Sequence, residues 1–214
     1  MSSQNLTKNK VKVCHLSSVH FALDTRIFFR FCQTLSHHYN VTLIAVHPVK
    51  EIKNGILIIP FKRFHNRKIR VAIGWILMFF KAIRVNARIY QIHDPELIPC
   101  GMLLKLFGKQ VILDIHENIA EDIFDKPWIK NQKRVYKIFT WFESPACKNF
   151  RIMLAENSYE KRYHLLAGKE NCTTVRNFCN YNFFKPYVNS GYRNLTNLFY
   201  IGIVLENRGI LEIA

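Results

Sequence analysis

Short bursts of apolar residues alternate with longer segments of helical period along the chain. Residues 11–16 (VKVCHL) read as a strand. Asp24 then caps a predicted helix whose apolar positions Ile27, Phe31 and Leu35 recur at a spacing of four. The β-branched run at 41–46 (VTLIAV) is a second strand, and 56–59 (ILII) a third, stopped by Pro60. A basic, apolar helix is expected from about Lys68 to Val85. Ile89-Tyr90-Gln91-Ile92 is a strand, and Pro95 to Phe107 a helix closed by Gly108. Residues 111–115 (VILDI) form a strand, 131–150 a helix and 151–155 (RIMLA) another strand. Shorter elements finish the domain around Val175.

Strands alternating with helices predict an α/β fold, a parallel sheet covered by helices on both faces. In such sheets ligands sit beyond the carboxyl ends of the strands, so the residues that end each strand are the ones to inspect. A polar stretch, 187–197, reads as a linker after a first domain of residues 1–186. Residues 198–214 hold one further strand and the opening of a helix, too little to bury a core of their own. They predict a second domain that starts there and is incomplete within the chain.

Composition narrows the partners. With 214 residues and 49% hydrophobic content, the chain has the makings of a globular core rather than of a disordered polymer. Its net charge of +16 predicts attraction to polyanions. The opening MSSQNLTKNK has no apolar core, so no secretory signal is read there. The six cysteines contain no C-x-x-C pair, which fits reduced thiols better than a zinc site or a disulfide framework. The longest apolar run, residues 71–80, falls short of the ~20 residues that span a bilayer. Eight basic residues lie between Lys62 and Arg88 (Lys62, Arg63, Arg67, Lys68, Arg70, Lys81, Arg84, Arg88), with no acid among them. Together with Trp75 and Phe79, residues Arg67, Lys68, Arg70, Lys81 and Arg84 describe a helix able to lie on an anionic membrane surface. The same pattern is met by a helix packed on the sheet with a solvated charged rim. Nucleic acid is not expected as a partner, because no helix-turn-helix, zinc-finger or RRM signature accompanies the charge.

The candidate chemistry sits at strand ends. His93 and Asp94 follow one strand, and His116 and Glu117 follow the next, 23 residues later, about one βα unit. If those strands are neighbours, both histidines share a rim, where His15 and His20 can join them. A histidine beside a carboxylate can orient a hydroxyl, or bind phosphate when protonated. Asp94-Pro95 also reads as an N-cap followed by proline at the first helical turn, a purely structural role. The ligand types at 93, 94, 116 and 117 lack H-E-x-x-H spacing, and no metal is expected. No nucleophile elbow, P-loop or G-x-G-x-x-G is present, which argues against an NAD-dependent enzyme.

The residues His15-Leu16-Ser17-Ser18-Val19-His20 with Asp24-Thr25-Arg26-Ile27-Phe28, then His93-Asp94-Pro95-Glu96-Leu97-Ile98-Pro99, Asp114-Ile115-His116-Glu117 and Tyr200-Ile201-Gly202 with Glu206, Arg208 and Gly209 come in one order. That ordered set resembles the GT4-type retaining glycosyltransferases of the GT-B fold. The resemblance implies two Rossmann-like domains facing a cleft. The N-terminal one binds a sugar or lipid-linked acceptor, the C-terminal one a nucleotide-sugar donor, and no metal or other cofactor is needed. It implies a catalytic role at the cleft for His93, and substrate contacts for His20, Thr25, Arg26, Asp94, His116 and Glu117. The sequence departs from the pattern at Phe21-Ala22-Leu23, where a proline and a basic residue are usual, and at Gly202-Ile203, where paired glycines are usual. Most of the donor site would fall beyond residue 214, so a separate chain supplying that half is an expected partner. The alternative is an acceptor- or membrane-binding module without turnover. Either way the expected setting is polysaccharide biosynthesis in the cytoplasm, peripheral to an inner membrane.

Overall fold

The computed structural model describes residues 10–126, 129–178 and 181–188. The chain divides into two compact units after Asn177. In the second unit the described residues form a short helix, Tyr181–Phe184, and a 3-10 turn, Lys185–Tyr187. The expected linker beyond residue 188 and the expected second-domain strand lie outside the described residues.

The first unit follows the expected alternation. Strand β1 (Lys12–Phe21) leads to a π-helical segment, Thr25–Cys32, that runs into α1 (Gln33–Ser36), then β2 (Asn40–Val46), β3 (Glu51–Lys53) and β4 (Ile56–Phe61). A helical run follows: α2 (Arg67–Ile69), a π-helical turn (Arg70–Gly74) and α3 (Trp75–Val85). Next come β5 (Ile89–Ile92), a 3-10 turn (Pro95–Leu97), α4 (Ile98–Leu106), β6 (Gln110–Ile115), α5 (Ile119–Asp122), α6 (Gln132–Asn149), β7 (Arg151–Leu154), α7 (Glu160–Ala167) and β8 (Cys172–Thr174). The sheet order is β3-β4-β2-β1-β5-β6-β7-β8. Every pairing is parallel except β3 with β4. The chain winds outward from β1 in one direction and then from β5 in the other, which makes the β1/β5 crevice the topological switch point.

The sheet buries both faces. Val41, Leu43 and Ala45 of β2 pack with Ile27, Phe28 and Cys32 on one side. Ile44 packs with Cys14, Leu16, Met78 and Ala82 on the other. Alternate residues of one strand thus feed two cores, which is why the strands read as near-continuous apolar runs. Helix α4 approaches closely at Gly101, where a Cβ would stand 3.0 Å from the Phe150 ring and 3.2 Å from Ile92 Cδ1.

Three local expectations are corrected. Pro60 does not stop β4, which continues to Phe61. Strand β3 pairs only with Ile56, Leu57 and Ile58, so Pro60 lies beyond its reach and forfeits no ladder bond on that side. The β3–β4 hairpin was not expected, although its Asn54-Gly55 turn, both residues at positive φ (52° and 75°), is a strong hairpin signal. After Asp24, whose carboxylate accepts from the N–H groups of Arg26 (2.8 Å) and Ile27 (2.9 Å), the wider π-helical turn buries Phe28 and Cys32. Phe31, expected in that core, stacks instead on His15 and His93.

Candidate functional site

Register assembles the site. Leu16, Ile92 and Leu113 lie side by side across β1, β5 and β6, so Ser17, His93 and Asp114 emerge together at the carboxyl rim. His15, two residues before Ser17, shares their face of the sheet.

Beneath the rim runs a buried polar chain. Arg26 donates from Nε to Asp114 Oδ2 (3.1 Å) and from Nη2 to Oδ1 (2.7 Å), the bidentate geometry that suits guanidinium and carboxylate. His93 Nδ1 lies 2.9 Å from Asp114 Oδ2; a carboxylate only accepts, so that nitrogen carries a proton. His93 Nε2 meets His15 Nδ1 at 3.0 Å, and His15 Nε2 is buried without a hydrogen-bond partner among the described residues. Burial works to raise the Asp114 pKa, but the His93 hydrogen bond and the Arg26 ion pair outweigh it and hold the carboxyl below the usual range. Burial, reinforced by His93 and opposed by Asp114, pushes the His15 pKa down to about 3.

Above this chain the rim opens into a cavity of about 220 Å³. His20, Asp94, Glu96, His116 and Glu117 line it, with Arg67 and Arg70 on one flank and Glu143 and Tyr163 deeper in. A recess of about 200 Å³ shares His20, His116 and Glu117 and adds Asp24 and Arg26. The rings of His20 and His116 meet edge to face, centroids 5.5 Å apart. His20 lies between two carboxylates, Nδ1 3.6 Å from Asp24 and Nε2 3.5 Å from Asp94. The close contact with Asp24 raises its pKa; burial opposes, and the charges of Asp94, Asp24 and Glu117 assist. The same contact, against burial and with help from the helix N–H groups, lowers the Asp24 pKa to about 2.

The expected residues fall into two groups. His20, Asp94, His116 and Glu117 share one cavity. His93 does not face it: its side chain is fully buried between His15, Phe31 and Asp114, because its ring turns down into the sheet face rather than out along the strand. Arg26 is 9% exposed and paired with Asp114, and Thr25 is exposed and lines neither opening. Asp94 does precede Pro95 at a turn start, but its side chain makes no cap. Its Oδ2 instead accepts from Ser17 Oγ (2.9 Å), Ser18 N (2.6 Å), Ser18 Oγ (3.2 Å) and Val19 N (3.2 Å), tying β1, just past its ladder with β5, to the end of β5.

The basic helix is also redistributed. Arg70, expected at a membrane, donates from Nε to Glu96 at 2.6 Å beside the cavity. Phe79 is 8% exposed and Trp75 half-buried, both packed on the core, because helical geometry turns them inward with Met78 and Ala82. Arg67, Lys68 and Arg84 are exposed and Lys81 half-buried. The apolar residues this run exposes include Ile69, Ile73, Ile76, Leu77 and Phe80.

Glu96, Ser17, Ser18 and Glu143 were not expected at the site. Ser17 and Ser18 follow directly on the strand expected at 11–16, so the strand-end rule could have found them, although β1 itself runs on to Phe21. Glu96 accepts from Ser18 Oγ at 2.6 Å as well as from Arg70. Glu143 sits mid-helix in α6, held buried by Arg162 and Tyr163, and the sequence carries no local sign of it. Among the described residues no group of three or more His, Cys, Asp or Glu is placed to hold a metal ion, and no helix is long and apolar enough to cross a membrane.

Fold and site together define a Rossmann-like α/β unit with a polar cavity at the switch point of its sheet. No family model and no curated protein matches the chain. Solved structures do. Sucrose-phosphate synthase from Thermosynechococcus elongatus matches with a TM-score of 0.60 and 11% identity, over 82% of this chain and 50% of the synthase. A glycosyltransferase from Rickettsia africae matches with a TM-score of 0.53 and 14% identity, over 84% of this chain and 46% of that protein. At such identities the likeness establishes the fold. Over its matched residues the chain spans about half the length of these two proteins.

Proposed function

We propose that the chain is the acceptor-binding half of a GT4-like retaining glycosyltransferase, which moves a sugar from a nucleotide donor to a sugar or lipid-linked acceptor in polysaccharide biosynthesis. The observation that carries this reading is the cavity at the β1/β5 switch point, where His20, His116 and Glu117 present imidazole and carboxylate groups beside one another. Such a set can hold sugar hydroxyls by hydrogen bonds whose donors and acceptors are already oriented. The likeness to a glycosyltransferase and a sucrose-phosphate synthase supports the class by analogy of fold. Asp94 acts indirectly, by joining the β1 and β5 rims. His93 is a positioning residue: through Asp114 it anchors Arg26, and with it the helix that starts at Asp24. No metal is required, and the donor-binding half is supplied outside the described residues or by a separate chain.

The test is titration of an alkyl glucoside, below its micelle concentration, into the purified chain, followed by the imidazole resonances of His20 and His116. Saturable shifts are expected, with affinity reduced about tenfold to a hundredfold in Glu117→Gln, the loss of one hydrogen bond to a charged group. Unmoved imidazole signals would sink the acceptor assignment. UDP- and GDP-sugars are expected to bind weakly; a Kd near about 1 µM would overturn the division of labour between halves.

A second reading, a membrane-docking module, draws on the exposed stripe Ile69, Ile73, Ile76 and Phe80 beside Arg67, Lys68 and Arg84. Its apolar side and basic flanks complement an anionic leaflet. Salt-sensitive binding to anionic liposomes that weakens in Arg67→Gln/Lys68→Gln supports it, and unchanged binding refutes it.

A further inference from the structure

At the opposite end of the sheet from the histidine-lined cavity lies a larger one, of about 450 Å³, whose charge is of a single sign. Lys12 opens β1 and Asn40 opens β2; Thr42 stands two residues into β2. Lys81 and Arg84 come down from the last turns of α3, and Lys50 closes the ring from the loop before β3. Half-buried Leu57 and Ile59 of β4 form the floor. No acid lines this cavity, and none of its four cations forms an ion pair among the described residues. Among the described residues the side chains of Asn40 and Thr42 make no hydrogen bond either.

Part of this pattern has a local cause. Basic groups in the last turn of a helix oppose its dipole favourably, which accounts for Arg84 but not for Lys81, one turn earlier. It does not account for Lys12 and Lys50, which come from a strand start and a loop and add like charge to the same hollow. Lys12, Lys50 and Arg84 are exposed and Lys81 half-buried, so solvent screens their mutual repulsion only in part, and an anion joining them over the partly apolar floor would relieve it. The donor set matches one ligand chemistry. Ammonium groups supply point charge, the guanidinium a planar two-pronged donor, and the amide and hydroxyl neutral donors, together the complement of a phosphate group.

We infer that this cavity is a binding site for a phosphate group, carried by a phosphorylated small molecule or by a lipid headgroup. The site stands apart from the transferase reading and does not depend on it. Helix α3 ties it to the exposed apolar stripe, since Phe80 and Leu77 lie one turn before Arg84 and Lys81.

Inorganic phosphate titrated into the purified chain tests the site. Saturable binding is expected, weakened about tenfold or more in Lys81→Gln/Arg84→Gln, which removes two charged donors. The charge-matched pair Lys133→Gln/Lys137→Gln, on exposed positions of α6 away from the cavity, is expected to bind as the parent does. Phosphate that fails to saturate, or that is weakened equally by both pairs, reflects only the overall charge and overturns the inference. Vesicles of phosphatidylcholine containing phosphatidic acid or, at matched surface charge, phosphatidylserine separate the sources. A preference for phosphatidic acid that disappears in Lys81→Gln/Arg84→Gln supports the site as a headgroup pocket. Phosphate binding that depends on that pair, with vesicle binding that does not, supports it as a pocket for a soluble phosphorylated ligand.

Discussion

The two ends of the central sheet handle charge in opposite ways. At the carboxyl rim, Arg26 faces Asp114, Arg70 faces Glu96, and His20 stands between Asp24 and Asp94. At the amino rim, Lys12, Lys50, Lys81 and Arg84 line one cavity that no acid lines with them. One helical run, Arg67 to Val85, borders both, so a block of charge that looks uniform in sequence is divided by its length. The carboxyl rim is organised from within: its charges hold each other, and stability depends on them. The amino rim is organised for something from outside, and the fold loses little without it.

The largest test of that contrast is Asp114→Asn. It leaves Arg26 buried without its counter-charge and is expected to cost about 3–5 kcal/mol in urea unfolding. Loss of less than about 1 kcal/mol would mean that the buried chain is not a structural keystone.

The pH dependence comes next. The folded-state pKa of His15, about 3, lies below the ordinary 6.5. Between those values the unfolded chain binds a proton that the folded chain refuses, so stability falls as pH drops from 6.5 toward 3, by up to about 1.4 kcal/mol per unit. His20 works the other way. Its raised pKa adds stability below the ordinary histidine range, lost as pH rises through the folded value. His15→Leu should flatten the acid limb measured by unfolding at several pH values; an unchanged limb would assign it to other groups.

Asp94→Ala removes the acceptor for two backbone N–H groups and two hydroxyls, and is expected to cost about 2–3 kcal/mol. Asp94→Asn, which keeps one acceptor oxygen, should recover part of this. Equal loss in both variants would show that the carboxylate charge, not the count of bonds, matters.

The smallest effect is expected at the other rim. Lys81→Gln/Arg84→Gln should change stability by less than about 0.5 kcal/mol, or raise it slightly as repulsion is relieved. A loss as large as that of Asp94→Ala would erase the difference between the rims.

Much of this was legible in the order of residues. The strand bursts at 41–46 and 111–115, the cap at Asp24 and the helix closing at Gly108 are local matters, governed by side-chain period and backbone conformation. The parallel sheet followed from their alternation, and His20, Asp94, His116 and Glu117 from the rule that strand ends line the ligand crevice. Local rules could not give the direction of a side chain at a strand end. His93 and Asp94 are neighbours in sequence, yet one ring turns into the sheet face toward Asp114 while the other side chain ties down the second half of β1. Nor could they pair Arg26 with Asp114, 88 residues away, or bring Lys12 and Lys50 beside Lys81 and Arg84. The sequence alone determined the elements and the rim on which the histidines gather, because period and capping act within a few residues. Tertiary structure alone decided which charges are spent on each other and which stand unanswered, because that depends on strand register and on the length of one helix laid across the sheet.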